Sequence, residues 1–336
     1  MRAVKQILAT LTLGALLGWM ALAISYSPLQ PEWLRIGLAV LIPLGALLAF
    51  FRMQSRRWVV AGVLVVFLMF LVWWLAIPPS NERHWQPDVA VLAFAEFHGD
   101  QVTVHNVRNN QYRTETDYTV RFKDQILDLA QLRSLDLFVS YWGSPLIAHT
   151  ILSWGFDGDQ YLAISIETRK EMDEQYSAIK GFFKQYELIY VVADERDLVG
   201  LRTNYRDEDV YLYRLQVSPD TARQLLISYL QTINQLRESP EWYNALTQNC
   251  TTAVRGHVLP HARHAWWSWR LLLNGYIGEL AYDLGVVGQS LPFPVLKAQS
   301  RINEQAKGAA HDPSFSVRIR EGLPNMDNSN FEGDAM

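Results

Sequence analysis

A single cysteine, Cys250, stands in 336 residues, so no intramolecular disulfide can staple the chain. There is no G-x-S-x-G, no H-E-x-x-H and no phosphate-cradling glycine loop. Those absences remove the nucleophile-elbow hydrolases, the zincins and the P-loop enzymes. Lysine and arginine are scattered over a chain of net charge −4 and gather into no basic face, which disfavours a nucleic-acid partner. No repeat and no low-complexity tract is found. His257, His261 and His264 are the nearest approach to a metal cluster. Pro260 breaks the helical spacing between them, and neither a second cysteine nor a carboxylate set is nearby. No metal and no cofactor is expected.

What the chain does have is long runs without charge. Residues 6–24 and 58–77 each suffice to cross about 30 Å of hydrocarbon as a helix. So does 33–51, if Arg35 snorkels to the interface; Pro43 is a possible kink within it. A cleavable signal peptide explains one such run but not three, and no small-residue cleavage site follows Ile24. Arg2 and Lys5 precede the first run, and Arg52, Arg56 and Arg57 fill the second connection. The positive-inside rule then places the N-terminus in the cytoplasm and everything after about Pro78 outside, with Trp73 and Trp74 at the outer interface. In a cell with two membranes this is a multi-pass inner-membrane protein with a periplasmic domain. Residues 78–87, rich in proline and polar side chains, read as a linker, 88–324 as the domain and 325–336 as a disordered tail.

The domain begins with strand-like segments: 89–97, 101–107, 117–122, 135–142, 146–154, 160–167, 187–192 and 210–217. Between them, 168–186 is charged and helix-compatible. Residues 219–238 form an amphipathic helix with a clear start signal, and Pro240-Glu241 resembles another. The class is α+β, an antiparallel sheet packed on helices.

Cys250 lies in YNALTQNCTTAVRGH, where Thr247, Asn249, Thr251 and Thr252 cluster as if a helix were capped there. A sulfur at a helix N-terminus sits at the positive end of the macrodipole, which favours thiolate; a buried core cysteine is the alternative. A nucleophile needs a base. His149 is placed in the apolar strand LIAHTILSW, whose hairpin to QYLAISIE closes through Asp-Gly. If Gly155 faces Gln160, His149 lies opposite Ile166, beside Ser165 and Glu167. Either could orient the imidazole, and a single bulge would set Glu167 directly across. A histidine held by a backbone carbonyl is the alternative. Trp266, Trp267 and Trp269, flanked by Arg263 and Arg270, suit a bilayer headgroup region or an ordinary core helix.

The order of a strand histidine followed by Asn-Cys at a helix start resembles the permuted branch of the papain-like, NlpC-type cysteine superfamily. More closely, AHTILSWGF, YLAISIETRKE, YELIYVVADERDLVGLRT and SPEWYNALTQNCTT resemble the periplasmic domain of Lnb-type lipoprotein N-acyltransferases. The resemblance spans roughly 88–324. It implies a permuted papain-like fold with Cys250 and His149 as the catalytic pair, Glu167 or Ser165 as the third member, and Asn249 and Thr251 lining the oxyanion site. An active site beside the bilayer favours phospholipid as acyl donor; a lipoprotein α-amine as acceptor would give N-acylation, and water would give hydrolysis. A peptidoglycan amidase or endopeptidase using the same pair, or a non-catalytic envelope protein with a buried cysteine, are the alternatives.

Overall fold

The computed structural model describes residues 2–258 and 268–326. The chain divides into two compact units. One holds the chain up to Ser80 together with Tyr176–Glu187; the other holds Asn81–Gln175 and the residues described from Leu188 onward.

The first unit is built on α1 (Arg2–Ser25), α2 (Glu32–Arg52) and α3 (Arg56–Leu75), each long and apolar enough to cross a membrane. Leu13, Leu17, Met20 and Ile24 of α1 pack with Ala39 and Phe50 of α2 and with Val59 and Val63 of α3. Their remaining faces are also apolar yet exposed, as at Leu11, Leu41 and Leu68. Helices apolar all round need hydrocarbon outside. The helix runs through Pro43 without a break.

The stretch 168–186, helix-compatible in sequence, has only one 3-10 turn at Lys180–Phe182. Its second half leaves the sheet and packs on the helices. Phe183 packs at a tilt beside Trp19 and Tyr26, with ring centroids 6.3 and 5.5 Å away. The Lys184 ammonium donates to the Trp74, Leu75 and Ile77 carbonyls at 3.0, 3.0 and 3.2 Å. The end of α3 leaves such carbonyls without helical partners and carries the negative end of the dipole, so a cation is favoured there.

The second unit is α+β. Its strands are β1 (Phe94–His98), β2 (Gln101–Arg108), β3 (Gln111–Tyr112), β4 (Tyr118–Thr119), β5 (Phe122–Asp128), β6 (Leu132–Tyr141), β7 (Ala148–Phe156), β8 (Gln160–Arg169), β9 (Glu187–Ala193) and β10 (Asp209–Arg214). Eight form one sheet in the order β1-β2-β9-β8-β7-β6-β10, with β5 also paired to β2. The sheet is mixed rather than antiparallel, because β2 meets β9 in parallel at Arg108 and Ala193.

One face carries Phe138, Ile151, Ala163, Ile189 and Leu212, packed against Leu198 and Val199 of α4 (Glu195–Gly200) and against Ile302, Phe315 and Ile319 near the C-terminus. The other receives α5 (Pro219–Glu238), capped by Ser218 and tied on by the Trp154 indole, which donates to Ala222 O at 2.9 Å. The next helix, α6 (Cys250–Val258), begins at the cysteine. Pro240-Glu241 starts no helix; the Glu241 carbonyl instead accepts from Leu188 N–H at 2.8 Å.

Part of the expected linker is also ordered into this unit. Trp85 is buried, with the Arg169 guanidinium 4.2 Å from its ring centroid, and Asn81 donates to Leu236 O. Of the expected tail, Asn325 and Met326 are described, and Met326 packs against the core. Residues 327–336 lie outside the described residues.

Candidate active site

The β7–β8 hairpin sets the register of the site. Phe156, not Gly155, faces Gln160, and the ladder runs to Ile151 opposite Ser165. The turn holds three residues, Asp157, Gly158 and Asp159, with Gly158 at φ 70° and Asp159 at φ 58°. Both lie in the left-handed region, which glycine and aspartate tolerate best. Carried two residues further, this register brings His149 level with Glu167 without a bulge.

His149 is buried, and its Nε2 lies 2.6 Å from Ser165 Oγ and 3.1 Å from Glu167 Oε1. Ser165 also donates to Glu167 Oε1 at 2.7 Å. The two candidates for the third position therefore lie together on one side of the imidazole. With Nε2 held on that side, the imidazole and the Cys250 thiol are close enough for each to favour the charged form of the other. The polar groups of Thr150, next to His149, also favour the thiolate, and its hydroxyl has no hydrogen-bond partner among the described residues. Cys250 comes beside the hairpin because it opens α6, which packs against both β7 and β8.

Burial opposes ionisation of the thiol. The His149 charge, foremost, and the nearby polar groups of Thr150 outweigh that, bringing Cys250 down to about 7. Burial likewise opposes the imidazolium. Glu167, assisted by Cys250, overcomes both burial and the nearby Arg202, raising His149 to about 9. Burial would push Glu167 up, but His149 and Arg202 hold it well below the ordinary carboxylate range. Thiolate and imidazolium thus coexist between about 7 and about 9.

Any reaction that begins from this ion pair should follow a bell. Activity should rise as Cys250 loses its proton near 7 and fall as His149 loses its own near 9. Glu167→Gln should move the alkaline limb to lower pH and slow turnover by about tenfold or more, without abolishing it. Initial rates across pH 5–11 check both statements, and an alkaline limb unmoved by the substitution would remove Glu167 from the site.

Other residues complete the arrangement. Arg202, buried at the end of the helical segment after β9, holds Glu167 Oε1 at 2.8 Å and Glu208 Oε2 at 3.1 Å. Nothing in local sequence marks it, because its role depends on the sheet bringing residues 167 and 208 together. Asn249 caps α6: its Oδ1 accepts from the Thr251 and Thr252 backbone N–H groups, both at 2.9 Å. The Thr251 N–H, a natural oxyanion donor in the sequence, is thereby engaged. The Cys250 N–H has no such partner among the described residues.

Asn274 was also missed. Its Nδ2 lies 3.7 Å from Cys250 Sγ. Tyr229, on α5, is fully buried and within electrostatic reach of Cys250, and its hydroxyl has no partner among the described residues.

His257, two turns beyond Cys250, is 2.7 Å from Ser228 Oγ through Nδ1 and 2.9 Å from the Tyr190 hydroxyl through Nε2. Burial pushes it down to about 4, so it is a neutral packing residue with both nitrogens occupied. His261, His264, Arg263, Trp266 and Trp267 lie outside the described residues. Trp269 is described and more than half exposed.

Three helices long and apolar enough to cross a membrane precede an α+β unit that brings a buried cysteine and a buried histidine together at its sheet. Residues 118–275, a little under half of the chain, match the family model described as the Lnb N-terminal periplasmic domain, and with the three apolar helices this supports a membrane-anchored protein with a periplasmic domain. The match includes His149, Ser165, Glu167, Arg202, Asn249, Cys250, Thr251 and Asn274. Neither the comparison with curated proteins nor that with solved structures gave a match.

Proposed function

We propose that the protein is a Cys-His acyltransferase of the bacterial inner membrane, permuted papain-like in its arrangement. The N-terminus is cytoplasmic and the catalytic domain periplasmic. It moves an acyl chain from phospholipid through a Cys250 thioester to an amine, the N-terminus of a lipoprotein. The thiolate attacks the ester carbonyl. His149 protonates the departing alkoxide and then takes a proton from the incoming amine.

The observation that carries the acyl-chain reading is the surroundings of the ion pair. Trp142, Leu146 and Ile147, in the loop leading to His149, and Trp269, Leu272 and Leu273, leading to Asn274, are all exposed. The two segments are joined, since Gly275 N–H donates to Leu146 O at 3.0 Å. A hydrolase for a polar cell-wall peptide has little use for so apolar a rim, whereas an acyl chain does.

The test is intact mass of the full chain in detergent after exposure to phosphatidylethanolamine with defined chains, followed by addition of a lipopeptide with a free α-amine. The expected result is an adduct of one acyl chain on Cys250 that the amine discharges. Cleavage of muropeptides with no acyl adduct would instead support the amidase reading.

A further inference from the structure

The Asn274 carboxamide joins the two halves of the site. Its Oδ1 accepts from Ala148 N–H, next to His149, at 2.8 Å. Its Nδ2 donates to Thr251 Oγ1 at 3.1 Å and lies 3.7 Å from Cys250 Sγ. The residue is 8% exposed. The backbone behind it is pinned as well: the Tyr141 hydroxyl donates to Gly275 O at 2.6 Å, and a Cβ on Gly275 would collide with Pro145 O. Only glycine lets the chain pass this close to the loop before His149.

An amide nitrogen carries two hydrogens. Thr251 takes one from Nδ2; the other is left for the sulfur, a weak acceptor at that distance. A donor fixed by the fold but poorly used at rest is the kind that acts when charge develops in the transition state. The helix-start donors of Thr251 and Thr252 are already held by Asn249, so they compete little for the role.

We propose that Asn274 Nδ2, together with the Cys250 N–H, binds the oxyanion formed when Cys250 attacks an acyl ester, an assignment that rests on the acyltransferase reading. The thiolate pair forms the S–C bond, and the carbonyl π pair moves to oxygen, where Nδ2–H and N–H receive it. When the pair returns, the C–O ester bond breaks, and the alkoxide leaves with the proton from His149. In the second half-reaction the amine forms the C–N bond and the same two donors hold the second oxyanion. The C–S bond then breaks, restoring the thiolate, while His149 accepts the amine proton.

The experiment compares two reactions of one thiol in the full chain in detergent. Acylation by 4-nitrophenyl butyrate passes through an oxyanion. Alkylation by iodoacetamide displaces iodide at a saturated carbon and forms none. Both need the thiolate, so their rate ratio at one pH removes any change in thiol ionisation. Asn274→Ala should lower the ratio of acylation to alkylation by about 100- to 1000-fold. Asn274→Asp, which keeps the acceptor for Ala148 N–H and can accept from Thr251, should lower it similarly even if the alanine variant folds poorly. A ratio equal to wild type in the aspartate variant, with both rates falling together or neither falling, overturns the assignment and leaves Asn274 a positioning residue. A wild-type protein that alkylates but never acquires an acyl group on Cys250 overturns the acyltransferase reading and this assignment with it.

Discussion

Cys250→Ala protein is expected to fold, to insert, and to transfer no acyl chain. The side chain is buried and small, and its loss removes one sulfur from a site whose backbone is held by the α6 cap, by Asn274 and by the β7 strand. The expected cost is about 1 kcal/mol, a fall in Tm of about 2–4 °C for a domain of this size. Chemistry is another matter. A covalent route has no nucleophile once the thiol is gone, and alanine offers no substitute. The measurement is acylation of a lipopeptide α-amine by membranes containing each variant, read by mass, beside thermal melting of the same preparations. A Cys250→Ala, His149→Gln double variant should be no worse than the cysteine variant alone, because base and nucleophile act as one unit. Full acylation by the alanine variant would leave no cysteine mechanism standing.

The parts of this protein that were legible beforehand are those fixed by local pattern. The three membrane helices announce themselves by length and absence of charge, with observed bounds a few residues from the expected ones, and α5 by its Ser218 cap and apolar stripe, with the bounds expected. His149 and Cys250 could be singled out because each is an odd residue in its setting, an imidazole in an apolar strand and a lone thiol among capping side chains. What failed depends on relations between distant segments. The hairpin register shifted by one residue because Asp159 joined Gly158 in a left-handed conformation, a choice a dipeptide signal does not encode. The parallel contact of β2 with β9 joins strands about eighty residues apart. Arg202 and Asn274 carry no motif. One matters because the sheet aligns Glu167 with Glu208, the other because Gly275 passes under the loop before His149. The Pro240-Glu241 signal was overridden when Glu241 O was taken by Leu188 N–H.

His149→Gln should be nearly as damaging as loss of the thiol, and it separates two jobs the imidazole performs. Glutamine occupies a similar space and can still bond Ser165, but it can neither carry a positive charge nor move a proton. The first consequence concerns the sulfur. Burial alone raises the Cys250 thiol, and the His149 charge is foremost among the influences that bring it to about 7. Without that charge the thiol should ionise at higher pH, and iodoacetamide should alkylate it about tenfold more slowly or worse at pH 7. The second consequence concerns the leaving group, which must now depart without a proton. Removing a positioned acid-base group costs about 100- to 10,000-fold, and this loss multiplies the first. Arg202 remains beside Glu167 at 2.8 Å, so the carboxylate keeps a counter-charge and the fold should survive the change. The alkaline limb near 9 should vanish from whatever activity remains, since the group that titrates there is gone. An alkaline limb that persists in His149→Gln, or a thiol alkylated at the wild-type rate at pH 7, would show that some other group sets the state of Cys250.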